Sequence, residues 1–433
     1  MGYLFLTIII LTISAYYLNG KELIAPSFLF SVAFLVASFF ALLNGEKWGY
    51  NLNNSTYFVI VLGILEFIII SYIIRIIFRT HPNGINKANT DHTVFINNRK
   101  LIYVEIIQFI FVFVIIWNVK KVTGQSDITK AVNMLNYSAN GFIGMSYELP
   151  TYAKLMQNFN FAVGIFGEYL FIKELVENRK FKIIFFIEVL FALSGSILSG
   201  SRGGTLIAIV SLLVFYMLIQ QKRIDWNPRK NLISILLVII IAAIVLFLFK
   251  QTTTWVGRGE ETRSSFDYIS IYMGAEIKNL DLFINNGMFP IKTELFGQQT
   301  FVTIYDFLIK HLNYPAQTYN LVLPFQSVNG YGLGNVYTVF YPWLYDFGYS
   351  GILFLTLIMA SISEIIYEIS IKSSQNIAPY IRLFYGGTVA PCIVFSFFSN
   401  RFFEAMNIIT IIVTIVIYWF INHFLVKEIN KNE

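Results

Sequence analysis

A single guanidinium stands in a run of small residues, Ser199-Gly200-Ser201-Arg202-Gly203-Gly204-Thr205. Glycines at 200, 203 and 204 let the backbone take positive φ and let a ligand come close to main-chain N–H groups. Ser201 and Thr205 are residue types that cap a following helix. The helix N-terminus then directs partial positive charge at whatever Arg202 holds. That is the chemistry of anion binding. The same stretch also reads as a plain helical hairpin whose arginine reaches lipid headgroups.

A second candidate is Gly257-Arg258-Gly259-Glu260-Glu261-Thr262-Arg263. Arg258 and Arg263 suit phosphate or diphosphate, whose oxygens guanidinium grips in a bidentate fork. Alternatively they pair with Glu260 and Glu261 at a solvated surface, where such pairs contribute about 0–1 kcal/mol. His311, next to Lys310, suits proton transfer near neutral pH, though a lone His is more often structural. Tyr337, Asp346 and the pair Arg401/Glu404 complete the set. Asp346 ends the aromatic run Tyr341-Pro342-Trp343-Leu344-Tyr345. Such rings floor a sugar site or form an interfacial belt with equal ease.

These residues hang on a chain that is 56% hydrophobic and 13% charged over 433 residues. A soluble globule carries about a quarter charged residues, so the fold class is an all-α polytopic membrane protein. The net charge of +6 needs no nucleic acid, because most basic residues fall in short loops, as topology signals do. Cys392 is the sole cysteine, which rules out an intramolecular disulfide. The first apolar run, Leu4 to Leu18, lacks a basic leader and a clear cleavage site and reads as a retained span. No Walker or dinucleotide glycine pattern occurs. No His/Cys/Asp/Glu cluster has metal spacing, so no metal or other cofactor is expected.

About eleven spans (ten to twelve) are expected, near 3–19, 24–43, 56–77, 101–118, 153–173, 181–198, 206–219, 232–249, 348–367, 379–398 and 405–425. The basic loops at 75–100, 173–182 and 220–231 agree on one orientation, cytoplasmic. Alternation then puts the Arg202 turn, the segment 250–337 and the turn carrying Arg401 outside. The whole chain, 1–433, reads as one integral-membrane domain. Within 250–337, Phe266, Ile269, Met273, Ile277, Leu280 and Ile284 recur at helical spacing, as do Phe301, Ile304, Leu308 and Leu312. They predict two amphipathic helices on the membrane surface or folded over the spans.

The Ser-Arg-Gly turn, Tyr268-Ile269-Ser270 after the paired arginines, the run from Tyr337 through Tyr345-Asp346-Phe347-Gly348-Tyr349-Ser350-Gly351, and a large outer loop before the last spans resemble bacterial oligosaccharide repeat-unit polymerases. These are the O-antigen and capsule polymerases, the Wzy family. The resemblance implies a GT-C-like lipid-dependent glycosyltransferase of the inner membrane with its active site facing the periplasm. Such enzymes move a glycan from undecaprenyl diphosphate to the non-reducing end of another lipid-linked repeat unit, with no nucleotide sugar. The implied partners are those lipid-linked glycans, membrane lipid and a chain-length-determining co-polymerase.

On that reading Arg202, Arg258 and Arg263 converge on the leaving diphosphate, whose growing charge fixed guanidinium groups stabilise. Gly203, Gly204, Arg401, Asp346, Tyr337 and Glu404 contact substrate. His311, Glu260, Glu261, Asp346 and Glu404 are the candidate bases. An O-antigen ligase of the same fold is the first rival. A lipid-linked glycan flippase or transporter is the second, disfavoured because most charges lie in loops. A structural partner of an assembly complex is the third.

Overall fold

The computed structural model describes residues 1–49, 51–80, 94–139, 147–194, 197–224, 227–255, 263–315, 323–372, 380–406 and 408–428. The chain is mostly helical, and helices are numbered α1–α20 in chain order. Among the described residues, seven helices are long and apolar enough to cross a membrane. The chain is therefore a multi-pass membrane protein. Helices also occur at the four other expected spans. Gly2–Leu18, Ile183–Ser194 and Thr410–Leu425 are apolar but shorter, and Thr151–Glu177 is long but more polar. Within the run from Phe181 to Leu198, the described α-helix is Ile183–Ser194, 12 residues, about 18 Å at 1.5 Å per residue, and a short turn of 3-10 helix is described at Ile197–Ser199.

The chain divides into two compact units. Unit 1 comprises Met1–Pro82, Arg263–Glu368 and Cys392–Ile408. Its frame is α1 (Gly2–Leu18), α2 (Pro26–Leu43) and α4 (Asn54–Thr80), packed on one another. Phe30 stacks on Phe67 with ring centroids 4.5 Å apart. Phe340, at the start of α15 (Phe340–Phe347), reaches this core because Gly63 leaves room: a Cβ at 63 would lie 2.5 Å from its ring.

One end of the frame is an ion network, buried at Glu22, Arg75 and Glu368 and exposed at Arg79. Glu22 pairs with Arg75 at 2.7 Å and with Arg79 at 2.9 Å. Arg79 reaches Glu368 of α16 (Tyr349–Lys372) at 3.3 Å, and the Tyr367 hydroxyl donates to Glu22 at 2.9 Å. The opposite end carries α3 (Gly45–Trp48), α12 (Ser265–Met273), α13 (Ala275–Asn286), α14 (Val302–Leu312), α19 (Arg401–Ala405) and the hairpin β2 (Gln326–Val328)–β3 (Tyr331–Gly334).

The first expected stripe is two helices, not one. Gly274 breaks it, and a Cβ there would sit 2.6 Å from the Ala41 backbone nitrogen. α13 takes the second of the two expected placements, folded over the spans. It packs on α2 and α4, burying Ile277, Leu280 and Ile284 together with Glu276, Lys278, Asn279 and Asp281. Asp281 is held in that position by Asn53 N–H (2.8 Å), Thr56 Oγ1 (2.9 Å) and Lys278 Nζ (3.1 Å). The second stripe is α14, whose Leu312 is exposed.

Unit 2 comprises Asn83–Thr262, Ile369–Pro391 and Ile409–Glu433. It holds α5 (Asn98–Thr123), α6 (Ile128–Ala139), α7 (Thr151–Glu177), α8 (Ile183–Ser194), α9 (Gly203–Arg223), α10 (Pro228–Phe249), α11 (Thr252–Trp255), α17 (Tyr380–Phe384) and most of α20 (Ile408–Leu425). α18 (Ala390–Val394) straddles the boundary. α7 and α8 meet closely because Gly164 and Gly167 have no side chains: a Cβ at 167 would lie 2.1 Å from Glu188 Cβ.

The helix after Tyr380 is interrupted by a π segment, Tyr385–Val389, where Gly386 accommodates Phe215 of α9. Strand β1 (Val94–Ile96) pairs antiparallel with β4 (Val426–Glu428). That pairing brings the loop before α5 and the end of α20 to one end of the unit, as alternation of spans requires.

Candidate functional site

In unit 2 the Arg202 turn is shaped by its neighbours. Gly200 has φ +76° and leans on α6: a Cβ there would lie 2.8 Å from both Val132 O and Asn136 Cβ. Asn136 Nδ2 donates to Gly200 O at 2.7 Å. Ser201 Oγ accepts from Gly203 N–H at 3.1 Å, so Ser201 does help start α9. The Thr205 hydroxyl donates to Leu193 O at 2.7 Å and ties α9 back to α8.

Arg202 is buried. Its Nη1 donates to Phe249 O at 3.1 Å and Thr252 Oγ1 at 3.3 Å, and its guanidinium lies 4.2 Å from the Phe249 ring centroid. A cation placed at the last carbonyls of α10 meets the negative end of that helix's dipole. The turn thus carries a charged group held against the end of α10. Gly203 and Gly204 are the first two residues of α9.

In unit 1 the expected residues gather at the end opposite the Glu22 network. Asp346 accepts three hydrogen bonds from one turn: Gln299 N–H at 3.2 Å, Thr300 N–H at 2.7 Å and Thr300 Oγ1 at 2.7 Å. Burial nonetheless pushes its carboxyl above the ordinary range, with those bonds opposing the shift. Beside it, Asn400 bridges two elements. Its Oδ1 accepts from Trp343 Nε1 at 3.1 Å, and its Nδ2 donates to Thr300 O at 2.9 Å. Arg401 pairs with Glu404 at 3.2 Å, and Thr303 Oγ1 donates to Glu404 O at 3.2 Å.

Tyr337 is buried. Its hydroxyl donates to Pro324 O at 3.0 Å and accepts from Gln326 Nε2 at 2.9 Å, and its ring lies 4.2 Å from that of Tyr341. His311 is exposed on α14, its ring 4.8 Å from Phe307. Arg263 precedes α12 on the exposed side. Its field joins the Lys47 and Ser264 bonds in holding Asp267 below the usual carboxylate range, Lys47 contributing most.

Arg401, Glu404, Asp346 and Tyr337 therefore share one end of unit 1, while Arg202 lies in unit 2 with Gly203 and Gly204. Arg258, Glu260 and Glu261 lie outside the described residues. Among the described residues, no group of three or more His, Cys, Asp or Glu could hold a metal ion.

Several polar residues went unread in the sequence. Asn136 and Asn400 are lone amides with no spacing signature. The hairpin had one: Asn329-Gly330 turns it with both residues at positive φ, 53° and 80°, as a two-residue turn demands. Carboxylates also occur inside apolar helices. Glu168 and Glu188 of unit 2 and Glu364 of unit 1 are fully buried, which qualifies the expectation that charges keep to loops. Gln108 and Asn160 exchange amide-to-carbonyl bonds at 3.5 and 3.2 Å in the same unit. No family model matches the chain, and neither a curated protein nor a solved structure matches it.

Proposed function

We propose that this chain is a glycan polymerase of the GT-C type with about eleven spans, working at the outer face of a bacterial cytoplasmic membrane. It transfers a glycan from undecaprenyl diphosphate to the non-reducing end of a second lipid-linked repeat unit. The acceptor hydroxyl oxygen attacks the anomeric carbon, the bond from that carbon to the diphosphate oxygen breaks, and the electron pair leaves with the diphosphate. The hydroxyl proton passes to a carboxylate or imidazole.

The observation that carries this reading is the fixed Arg202 guanidinium, set in a glycine turn at the end of unit 2 remote from its basic loops. Preorganised positive charge stabilises a leaving diphosphate without reorganisation. Arg263 and Arg401 are the corresponding cations of unit 1. Glu404, held by Arg401, suits the base better than Asp346, whose oxygens are committed to the Thr300 turn. His311 is the other candidate.

Alanine variants of Arg202, Arg258, Arg263 and Arg401 in a deletion strain test this. Collapse of the glycan ladder to one repeat unit, with normal membrane insertion, supports it; full ladders from all four overturn it. Ladders of normal spacing that fail only to reach the final acceptor mark a ligase.

A second reading, a lipid-linked glycan transporter, is favoured by Glu168, Glu188 and Glu364, since carboxylates inside spans are expensive unless functional. Glu188→Gln and Glu364→Gln distinguish the two. Loss of translocation with polymerisation intact in an inverted-vesicle assay selects the transporter.

A further inference from the structure

The end of unit 2 that carries its basic loops holds a cavity of about 280 Å³, lined by Tyr169, Lys173, Glu177, Arg223 and Arg382 over an apolar floor at Leu218. We propose that this cavity binds the phosphate of an anionic lipid headgroup. Arg382 is only 3% exposed. Its Nη1 donates to Tyr169 OH at 3.4 Å, and its Nε and Nη2 reach Ser370 O at 3.4 and 3.3 Å. Arg223 Nη1 donates to Val176 O at 2.8 Å. Tyr169 OH, Ser370 O and Val176 O thus take part in orienting the two guanidinium groups.

Three cations against one carboxylate give the lining an excess of positive charge. An anion balances it, and phosphate matches the fork of each guanidinium. The volume lies just under the ~300–1,000 Å³ of ordinary small-molecule pockets. It admits a headgroup phosphate with a short polar substituent, and not a nucleotide. Glu177, exposed at the rim, accepts from a headgroup hydroxyl.

Leu218 and Ile219 continue the lining toward the apolar body of α9, as a site entered from the bilayer requires. Basic pockets between spanning helices near the cytoplasmic surface are a recurring way to hold anionic headgroups. The site uses none of the residues assigned to glycan transfer, so its test reads lipid and not glycan.

The experiment is native mass spectrometry of the full chain in detergent, with phosphatidylglycerol, phosphatidylcholine or inorganic phosphate added. Wild type is compared with the double variant Lys173→Gln/Arg223→Gln, which spares the buried Arg382. Wild type is expected to retain one phosphatidylglycerol about ten-fold more strongly than phosphatidylcholine, and the double variant to lose that preference. Phosphate binding that is lost in the double variant, without lipid adducts, assigns the same phosphate chemistry to a soluble source and overturns the lipid assignment. Equal adducts from both lipids, or a preference unchanged in the double variant, overturn the site itself. Arg382→Lys gives the geometric check: a folded variant with full lipid preference would show that the fork is irrelevant.

Discussion

Replacing Gly200 by alanine tests whether the Arg202 turn is set by its seat on α6. Two costs apply, and the structure separates them. An L-residue at φ +76° costs about 1–2 kcal/mol relative to glycine. The new Cβ must also come within 2.8 Å of Val132 O and Asn136 Cβ. The carbonyl belongs to a helix backbone and has little room to give, so overpacking adds about 1–3 kcal/mol. Displacing α6 weakens the Asn136 bond to Gly200 O, worth about 1 kcal/mol. The sum is roughly 3–6 kcal/mol.

Gly124 is the control. It has φ +67°, and a methyl added there would meet nothing within 4 Å, so Gly124→Ala carries the conformational cost alone, about 1–2 kcal/mol. Unfolding of the purified chain in mixed micelles by increasing denaturing detergent measures both. Gly200→Ala should lose at least about 2 kcal/mol more than Gly124→Ala. Equal losses would show that the turn is free of α6 and that Arg202 is not positioned by it.

Asn400→Leu should destabilise unit 1 by about 2–4 kcal/mol, because it strands the Trp343 indole N–H in a buried site and frees the Thr300 carbonyl; thermal unfolding followed by tryptophan fluorescence checks it. Asp267 and Asp346 should respond to pH in opposite senses. Asp267 is held below its ordinary value of 3.8, so its contribution is present above that value and is lost as pH falls through the lower folded pKa. Asp346 is held above 3.8, so the folded state is favoured on the acid side and loses stability as pH rises from 3.8 through the folded pKa. Melting curves of Asp267→Asn and Asp346→Asn across acid pH should show each slope removed, one of either sign. Arg202→Lys should abolish most glycan lengthening while leaving the chain folded, since an ammonium keeps the charge but not the planar fork; gel ladders and a melting curve on the same preparation separate the two effects.

The apolar helices were legible because their physics is local. α10 contains 18 residues of mean hydropathy 3.5, of which only 11% are buried, the signature of a lipid-facing span. α7 was readable by length alone, since Asn160 and Glu168 on its buried face dilute its apolar character. The described extent of α8, Ile183–Ser194, is shorter than the expected span: Phe181 to Leu198 carries Lys182 and Glu188, and Ser194-Gly195-Ser196 is a turn-type signal that the apolar run masked. The break at Gly274 was hidden because what demands glycine there is the backbone of α2, more than two hundred residues earlier.

The chemistry of Arg202 could be read from its neighbours in sequence, but its partner could not. Phe249 O is an ordinary carbonyl, distinguished only by being at the end of α10. Tyr337 and Asp346 were singled out through the run that carries the resemblance, Asp346 also as a carboxylate beside aromatic residues. Their burial and hydrogen bonds make both parts of the scaffold at the end of unit 1 opposite the Glu22 network.

The most direct test of the account is lengthening of a synthetic repeat unit on undecaprenyl diphosphate by the purified chain in liposomes, with no nucleotide sugar present. A ladder of glycans spaced by one repeat unit, with free undecaprenyl diphosphate released in step and both lost in Arg202→Ala, is the predicted result. Unchanged substrate after incubation with folded wild-type protein, or a ladder undiminished in Arg202→Ala, would contradict it.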